Sequence, residues 1–159
     1  MEERFLPIGI QDFEDLRRRG CVYVDKTAFV YKLATEGKPY FLNRPRRFGK
    51  SLLLSTLEYY FLGKKDLFTG LALEKLEKNW TEYPVLKISF GGGSYETNGR
   101  LSSMMEAILS EYEKRYALQK KSDNFAVRLR DLIFHLNKQT GKQVVILIDE
   151  YDKPILDAL

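Results

Sequence analysis

Three short apolar runs, Tyr40-Phe41-Leu42, Pro84-Val85-Leu86-Lys87-Ile88-Ser89-Phe90 and Val144-Val145-Ile146-Leu147-Ile148, are separated by stretches of helical spacing. Apolar strands divided by helices point to a parallel sheet with both faces covered, because each crossover helix returns the chain to the same strand direction. The sequence therefore reads as α/β, a mostly parallel sheet with helices on both faces. Its 159 residues suffice for one domain with a sizeable core. No internal repeat, low-complexity segment or linker divides them.

The intervening stretches carry helix signals. Asp12 is placed to cap a short helix that gathers arginines at its end and stops at Gly20. Asp25 is placed to cap a second helix through Leu33, with Phe29, Val30 and Leu33 as its buried face and Gly37 as its terminator. Ser51 to Phe61 keeps helical spacing through Leu53, Leu57 and Phe61. From Asp66 to Tyr83 the pattern breaks into short pieces around Gly70 and Trp80, and Gly91-Gly92-Gly93 ends the second apolar run as a flexible turn. Met104, Ile108, Tyr112 and Tyr116 make one amphipathic stripe; Phe125, Leu129, Leu132, Ile133 and Leu136 make another, with Ser122 or Asp123 as its cap.

Two of the strand ends carry chemistry. The first run leads into Arg44-Pro45-Arg46-Arg47-Phe48-Gly49-Lys50-Ser51, then into the helical run from Leu52. Strand, loop, Gly-Lys-Ser and helix is the order of a phosphate-binding P-loop, or Walker A motif: backbone N–H groups and the helix N-terminus face the phosphates, and the lysine adds charge. One position departs, since Arg44 stands where a glycine is usual. The last run delivers Asp149-Glu150, the acidic pair of a Walker B motif, to the carboxyl end of a strand, where ligands of parallel sheets sit. Asp149 and the Ser51 hydroxyl are then the Mg²⁺ ligands, and Glu150 is placed to orient or deprotonate the attacking water. Each motif alone has a plainer reading, as a turn with its helix cap or as the polar end of a strand. It is the two together, about a hundred residues apart, that favour a nucleotide site.

Other classes are excluded or left open by composition. No apolar run approaches the ~20 residues of a membrane-spanning helix, and the acidic start Met1-Glu2-Glu3 lacks the apolar core of a signal peptide. One cysteine, Cys21, excludes an internal disulfide and suits a reducing cytoplasm; it reads as a small buried hydrophobe. His135 falls on the polar side of its helix, and Tyr59-Tyr60-Phe61 reads as core. A net charge of +4 permits polyanion binding without arguing for it. Arg46 and Arg47 suit the phosphates of a nucleotide, those of a nucleic acid or plain solvation, and their place inside the loop favours the first; a nucleic-acid-binding reading would use Arg44, Arg46 and Arg47. Three readings stay open: an ATPase, a nucleotide-sensing switch with little turnover, and a nucleic-acid-binding component.

Four segments in this order, residues 6–13, Tyr23-Val24-Asp25-Lys26-Thr27, residues 44–51 and Asp149-Glu150-Tyr151-Asp152-Lys153-Pro154, resemble the AAA-ATPase-like family of bacterial P-loop proteins, nearly end to end. In that family an arginine at the position of Arg44 is usual. The resemblance implies an ATP-binding P-loop ATPase domain that uses Mg²⁺ and couples hydrolysis to conformational change in a larger protein. It implies Glu150 as the catalytic carboxylate, Arg44, Arg46, Arg47, Phe48, Gly49, Lys50, Ser51 and Leu52 around the nucleotide, and Ser51 and Asp149 at the metal. On this resemblance residues 1–159 are the N-terminal part of the ATPase core, with a short helical segment over 1–38 and a Walker A to Walker B core over 39–159. The rest of the core, and in most relatives a domain similar to PD-(D/E)XK nucleases, is expected to follow. This part alone is then expected to bind nucleotide without efficient hydrolysis.

Overall fold

The computed structural model describes residues 5–43, 45, 47–91 and 99–153. Arg44, Arg46, Gly92, Gly93 and Pro154, on which parts of the sequence reading fall, lie outside the described residues. Helices and a small parallel sheet make the chain α/β. It divides into two compact units, Met1–Glu82 and Tyr83–Leu159, a division that no Gly- or Ser-rich linker announces.

The first unit is helical: α1 (Phe13–Arg18), α2 (Thr27–Thr35), α3 (Lys50–Phe61), a 3-10 turn (Lys65–Phe68) and α4 (Ala72–Leu76). Helix α1 starts where Asp12 Oδ1 accepts the Asp15 N–H at 2.9 Å, as its sequence predicts. Its Phe13 is fully buried among Val30, Tyr60, Leu67, Phe68, Leu71 and Leu73, with ring centroids 5.0 Å from Phe68. Tyr60 stacks edge-on to Phe61, Phe68 and Trp80, so the aromatic run is core. Cys21 is buried and free.

The segment Tyr23–Thr27 is a clasp. Asp25 accepts hydrogen bonds from the Thr27 N–H (2.9 Å) and hydroxyl (2.7 Å) and, from the start of α4, the Ala72 N–H (2.7 Å). Thr27 Oγ1 in turn accepts the Leu73 N–H. Partial burial works against the Asp25 carboxylate, yet these bonds outweigh it and hold the group below its ordinary pKa.

Three expectations for this unit fail. Tyr40-Phe41-Leu42 forms no strand; its side chains are exposed, and an apolar run becomes a strand only where another strand supplies its ladder. Phe29 is 65% exposed, because α2 is short and meets the core through Thr27 and Val30. The N-cap residue of α2 is Lys26 in place of Asp25, although Asp25 accepts the N–H of Thr27. Helix α3 forms over the expected run, with Leu53, Leu57 and Phe61 half-buried against the core and Ser55, Thr56 and Tyr60 buried more deeply.

The second unit contains β1 (Val85–Ser89), α5 (Arg100–Arg115), α6 (Phe125–Thr140) and β2 (Val145–Asp149). The strands pair in parallel from Val85↔Val145 to Ser89↔Asp149, joined by the crossover through α5 and α6. Among the described residues the sheet has these two strands. Leu86, Leu109, Tyr112, Leu132 and Leu136 form the core. The Tyr112 hydroxyl takes both backbone groups of Lys87, accepting its N–H at 2.7 Å and donating to its carbonyl at 3.0 Å. The cap of α6 is Asn124, whose Oδ1 accepts the Ala126 and Val127 N–H groups, in place of Ser122 or Asp123. Ser122 instead accepts the Asn124 N–H. Arg128, its side chain 1% exposed, joins the two helices: it donates to both oxygens of Glu113 at 2.8 and 2.7 Å, to Ser110 at 3.1 Å and to Glu106.

Candidate functional site

The Gly-Lys-Ser segment lies in the first unit, at the start of α3. Gly49 is the N-cap residue at φ +72°, ψ +24°, left-handed backbone that glycine adopts without strain. Gly49 has no side chain to cap this helix, so among the described residues no capping side chain meets the N–H groups of its first turn. Arg47, two residues earlier, is also left-handed at φ +67°, a conformation costing an ordinary residue roughly 1–2 kcal/mol. Arg47, Phe48 and Gly49 are exposed, Lys50 and Ser51 are half-buried, and Leu52 packs against the first unit's core. Among the described residues the Lys50 ammonium has no ion-pair partner.

What holds α3 in place lies one turn further along. Ser55 Oγ accepts the Phe13 N–H at 2.9 Å and donates to the Leu52 carbonyl at 3.0 Å. Thr56 donates to the same carbonyl at 2.7 Å. The Tyr59 hydroxyl donates to the Asp12 carboxylate at 3.2 Å, and burial together with that negative charge holds the phenol well above its ordinary pKa. Residues 12–13 and the loop helix are thus linked by buried polar bonds. The pattern of leucines does not disclose these residues; the signal for them is the polar pair Ser55-Thr56 inside an apolar helical run.

The acidic pair lies in the second unit, at the carboxyl end of β2. Asp149 is the last strand residue, half-buried, opposite Ser89. Its carbonyl accepts the Phe90 N–H at 3.1 Å, and its Oδ1 accepts the Glu150 N–H at 3.0 Å. Glu150 is exposed and left-handed at φ +51°. Four described non-glycine residues have positive φ, Arg47, Trp80, Ala117 and Glu150. Two of those four therefore sit within the two chemical motifs, where strain merits a functional hypothesis.

Among the described residues no group of three or more His, Cys, Asp or Glu side chains could hold a metal ion. The oxygens of Ser51 and Asp149 are nevertheless the hard donors Mg²⁺ selects, and Mg²⁺ is ordinarily held by one or two side chains together with phosphates and water. Taken separately, each donor is of a kind the ion accepts. His135 is half-buried on α6 and joins no such group. No helix among the described residues is long and apolar enough to cross a membrane.

Residues 7–159 match the family described as "Predicted AAA-ATPase". The chain belongs to the AAA-ATPase-like family. The match runs through both motifs and both compact units. It is also 42% identical, over 161 aligned residues, to an "Uncharacterized protein in vnfD 5'region" of Azotobacter chroococcum mcd 1. That alignment covers 100% of this chain and 31% of the relative, so the chain spans about a third of the relative's length. No solved structure matches the chain.

Proposed function

We propose that this chain is an ATP-binding domain of a P-loop ATPase, with Mg²⁺-dependent hydrolysis coupled to conformational change in a longer protein. The observation that carries this reading is the start of α3 at Gly49-Lys50-Ser51, where the exposed N-cap Gly49 offers no capping side chain and Lys50 and Ser51 are half-buried, in a chain of the AAA-ATPase-like family. A helix start without a capping side chain, beside a lysine with no ion-pair partner among the described residues, suits a polyphosphate, since both the amides and the ammonium favour negative charge. Lys50 contacts the β- and γ-phosphates, the amides around Gly49 cradle them, and Arg44, Arg46, Arg47, Phe48 and Leu52 complete the nucleotide's surroundings. Ser51 and Asp149 hold Mg²⁺, which when bound neutralises phosphate charge. Glu150 orients the attacking water and takes its proton. The family relationship supports nucleotide and Mg²⁺ use; the roles of individual residues are our assignment.

The test compares nucleotide affinity and phosphate release in the full-length protein. Lys50→Ala is expected to weaken ATP binding at least tenfold, and Glu150→Gln to keep binding while losing turnover. Equal ATP affinity in wild type and Lys50→Ala would sink the assignment. Tight binding with no phosphate release from wild type would instead favour a nucleotide-sensing switch.

A further inference from the structure

We propose that Gly91 is the positioning residue for Glu150, supplying a seat without a side chain on which the carboxylate rests. This deepens the reading above, since it rests on Glu150 as the group that activates water. The ladder between β1 and β2 ends at Ser89↔Asp149, and the Phe90 N–H to Asp149 carbonyl bond carries it one residue further. Beyond that bond the left-handed backbone of Glu150 turns its side chain back toward Gly91. A Cβ at Gly91 would stand 3.0 Å from Glu150 Oε2, 3.1 Å from Cδ and 3.2 Å from Oε1. All three carboxyl atoms therefore lie against the glycine within a narrow range of distance.

The backbone does not explain the glycine. Gly91 is absent from the residues with positive φ, unlike most described glycines, so an alanine could adopt its conformation. What position 91 uses is the missing side chain. A methyl group there would push the carboxylate outward by a few tenths of an ångström, and a branched side chain would push it further. Catalytic groups tolerate displacements of only about 0.5 Å. Glu150 can yield because it is the far end of a flexible side chain, so the substitution moves the acid without breaking the fold.

The experiment measures ATP affinity, turnover and thermal unfolding on the full chain for wild type, Gly91→Ala, Gly91→Val, Glu150→Gln, Glu150→Ala and the combined variants. We expect Gly91→Ala to lower kcat severalfold and Gly91→Val at least tenfold, with ATP affinity changed less than twofold. In the Glu150→Gln background Gly91→Ala should lower the residual rate no further. Wild-type kcat in Gly91→Val, or an equal loss of rate with and without Glu150, would overturn the proposal. The unfolding measurements separate it from the ATPase reading. Gly91→Ala should lower Tm in the wild-type chain but not in Glu150→Ala, whether or not the protein hydrolyses ATP. An equal fall of Tm in both backgrounds removes the seat even if Glu150 proves catalytic. Identical turnover in wild type and Glu150→Gln removes the catalytic role and leaves the seat to the unfolding result.

Discussion

The loop at Gly49 can be tested through its backbone alone. An alanine Cβ at position 49 would meet nothing within 4 Å, so Gly49→Ala introduces no clash. Its cost is conformational: holding alanine at φ +72° is worth roughly 1–2 kcal/mol. Part of this is offset because alanine also has less freedom than glycine in the unfolded chain, by about 0.4–1 kcal/mol. The net loss should be near 1 kcal/mol, a fall in Tm of about 2–4 °C for a chain of this size. Gly20 provides a matched control in the same unit, since it has φ +65° and likewise nothing within 4 Å of an added Cβ. Gly20→Ala should therefore show a similar fall in Tm. ATP titration separates the two: Gly49→Ala should lose at least tenfold in affinity, while Gly20→Ala keeps wild-type affinity. Two variants with equal loss of Tm and unchanged affinity would refute the link between this turn and phosphate binding. Equal loss of affinity in both would show that the effect is global.

Two further predictions concern the frame that carries the motifs. Arg128→Met strands the Glu113 carboxylate, whose side chain is 7% exposed, and should cost about 3–5 kcal/mol in urea unfolding; Arg128→Met with Glu113→Leu should recover most of it, and a single variant within about 1 kcal/mol of wild type would contradict the buried-pair argument. Asp25 has a depressed pKa in the folded chain, so its contribution is present above the unfolded value near 3.8 and is lost as pH falls below it. The urea midpoint of wild type should therefore drop more steeply below pH 4 than that of Asp25→Asn, and parallel curves would show that the clasp does not depend on charge.

The parts of this molecule that were legible in its sequence are those fixed by local pattern. The runs around 85–89 and 145–149 form the parallel pair, and the stripes through Ile108–Tyr112 and Leu132–Leu136 face one core, although Leu109, outside the expected stripe, is buried more deeply than Ile108. The Asp12 cap forms where expected because its donor is three residues away. Features set by distant partners were not legible. Tyr40-Phe41-Leu42 has strand composition, but composition supplies no neighbour to pair with. Ser55 looks out of place among leucines until the Phe13 N–H, 42 residues away, is seen to need an acceptor. Asn124 could not be separated from Ser122 and Asp123 as a cap, since all three suit that role and the choice turns on where the helix begins. For the candidate site, the residue types and their order were readable, whereas the strain at Arg47 and Glu150 and the seat at Gly91 arise only from the folded backbone.

That strain bears on how the two motifs differ. A residue stays in a costly backbone region only where its surroundings over-determine it. At Glu150 those surroundings can be named: the Asp149 carboxylate receives the Glu150 N–H, the Lys153 N–H bonds to the Glu150 carbonyl, and Gly91 leaves room for the side chain. The left-handed turn at Glu150 is therefore held by the end of β2 and by the Lys153 backbone, as suits the role proposed for this residue. Arg47 differs. It is exposed, and the adjacent α3 is anchored to residues 12–13 by Ser55 and Tyr59, a turn or more beyond the loop. Among the described residues nothing comparable fixes Arg47 itself. On the function proposed above, a phosphate would be the partner of the α3 start, where Gly49 offers no capping side chain. On the proposed function, substitutions at Gly49 and Lys50 are expected to act on nucleotide affinity, and substitutions at Gly91 and Glu150 on turnover.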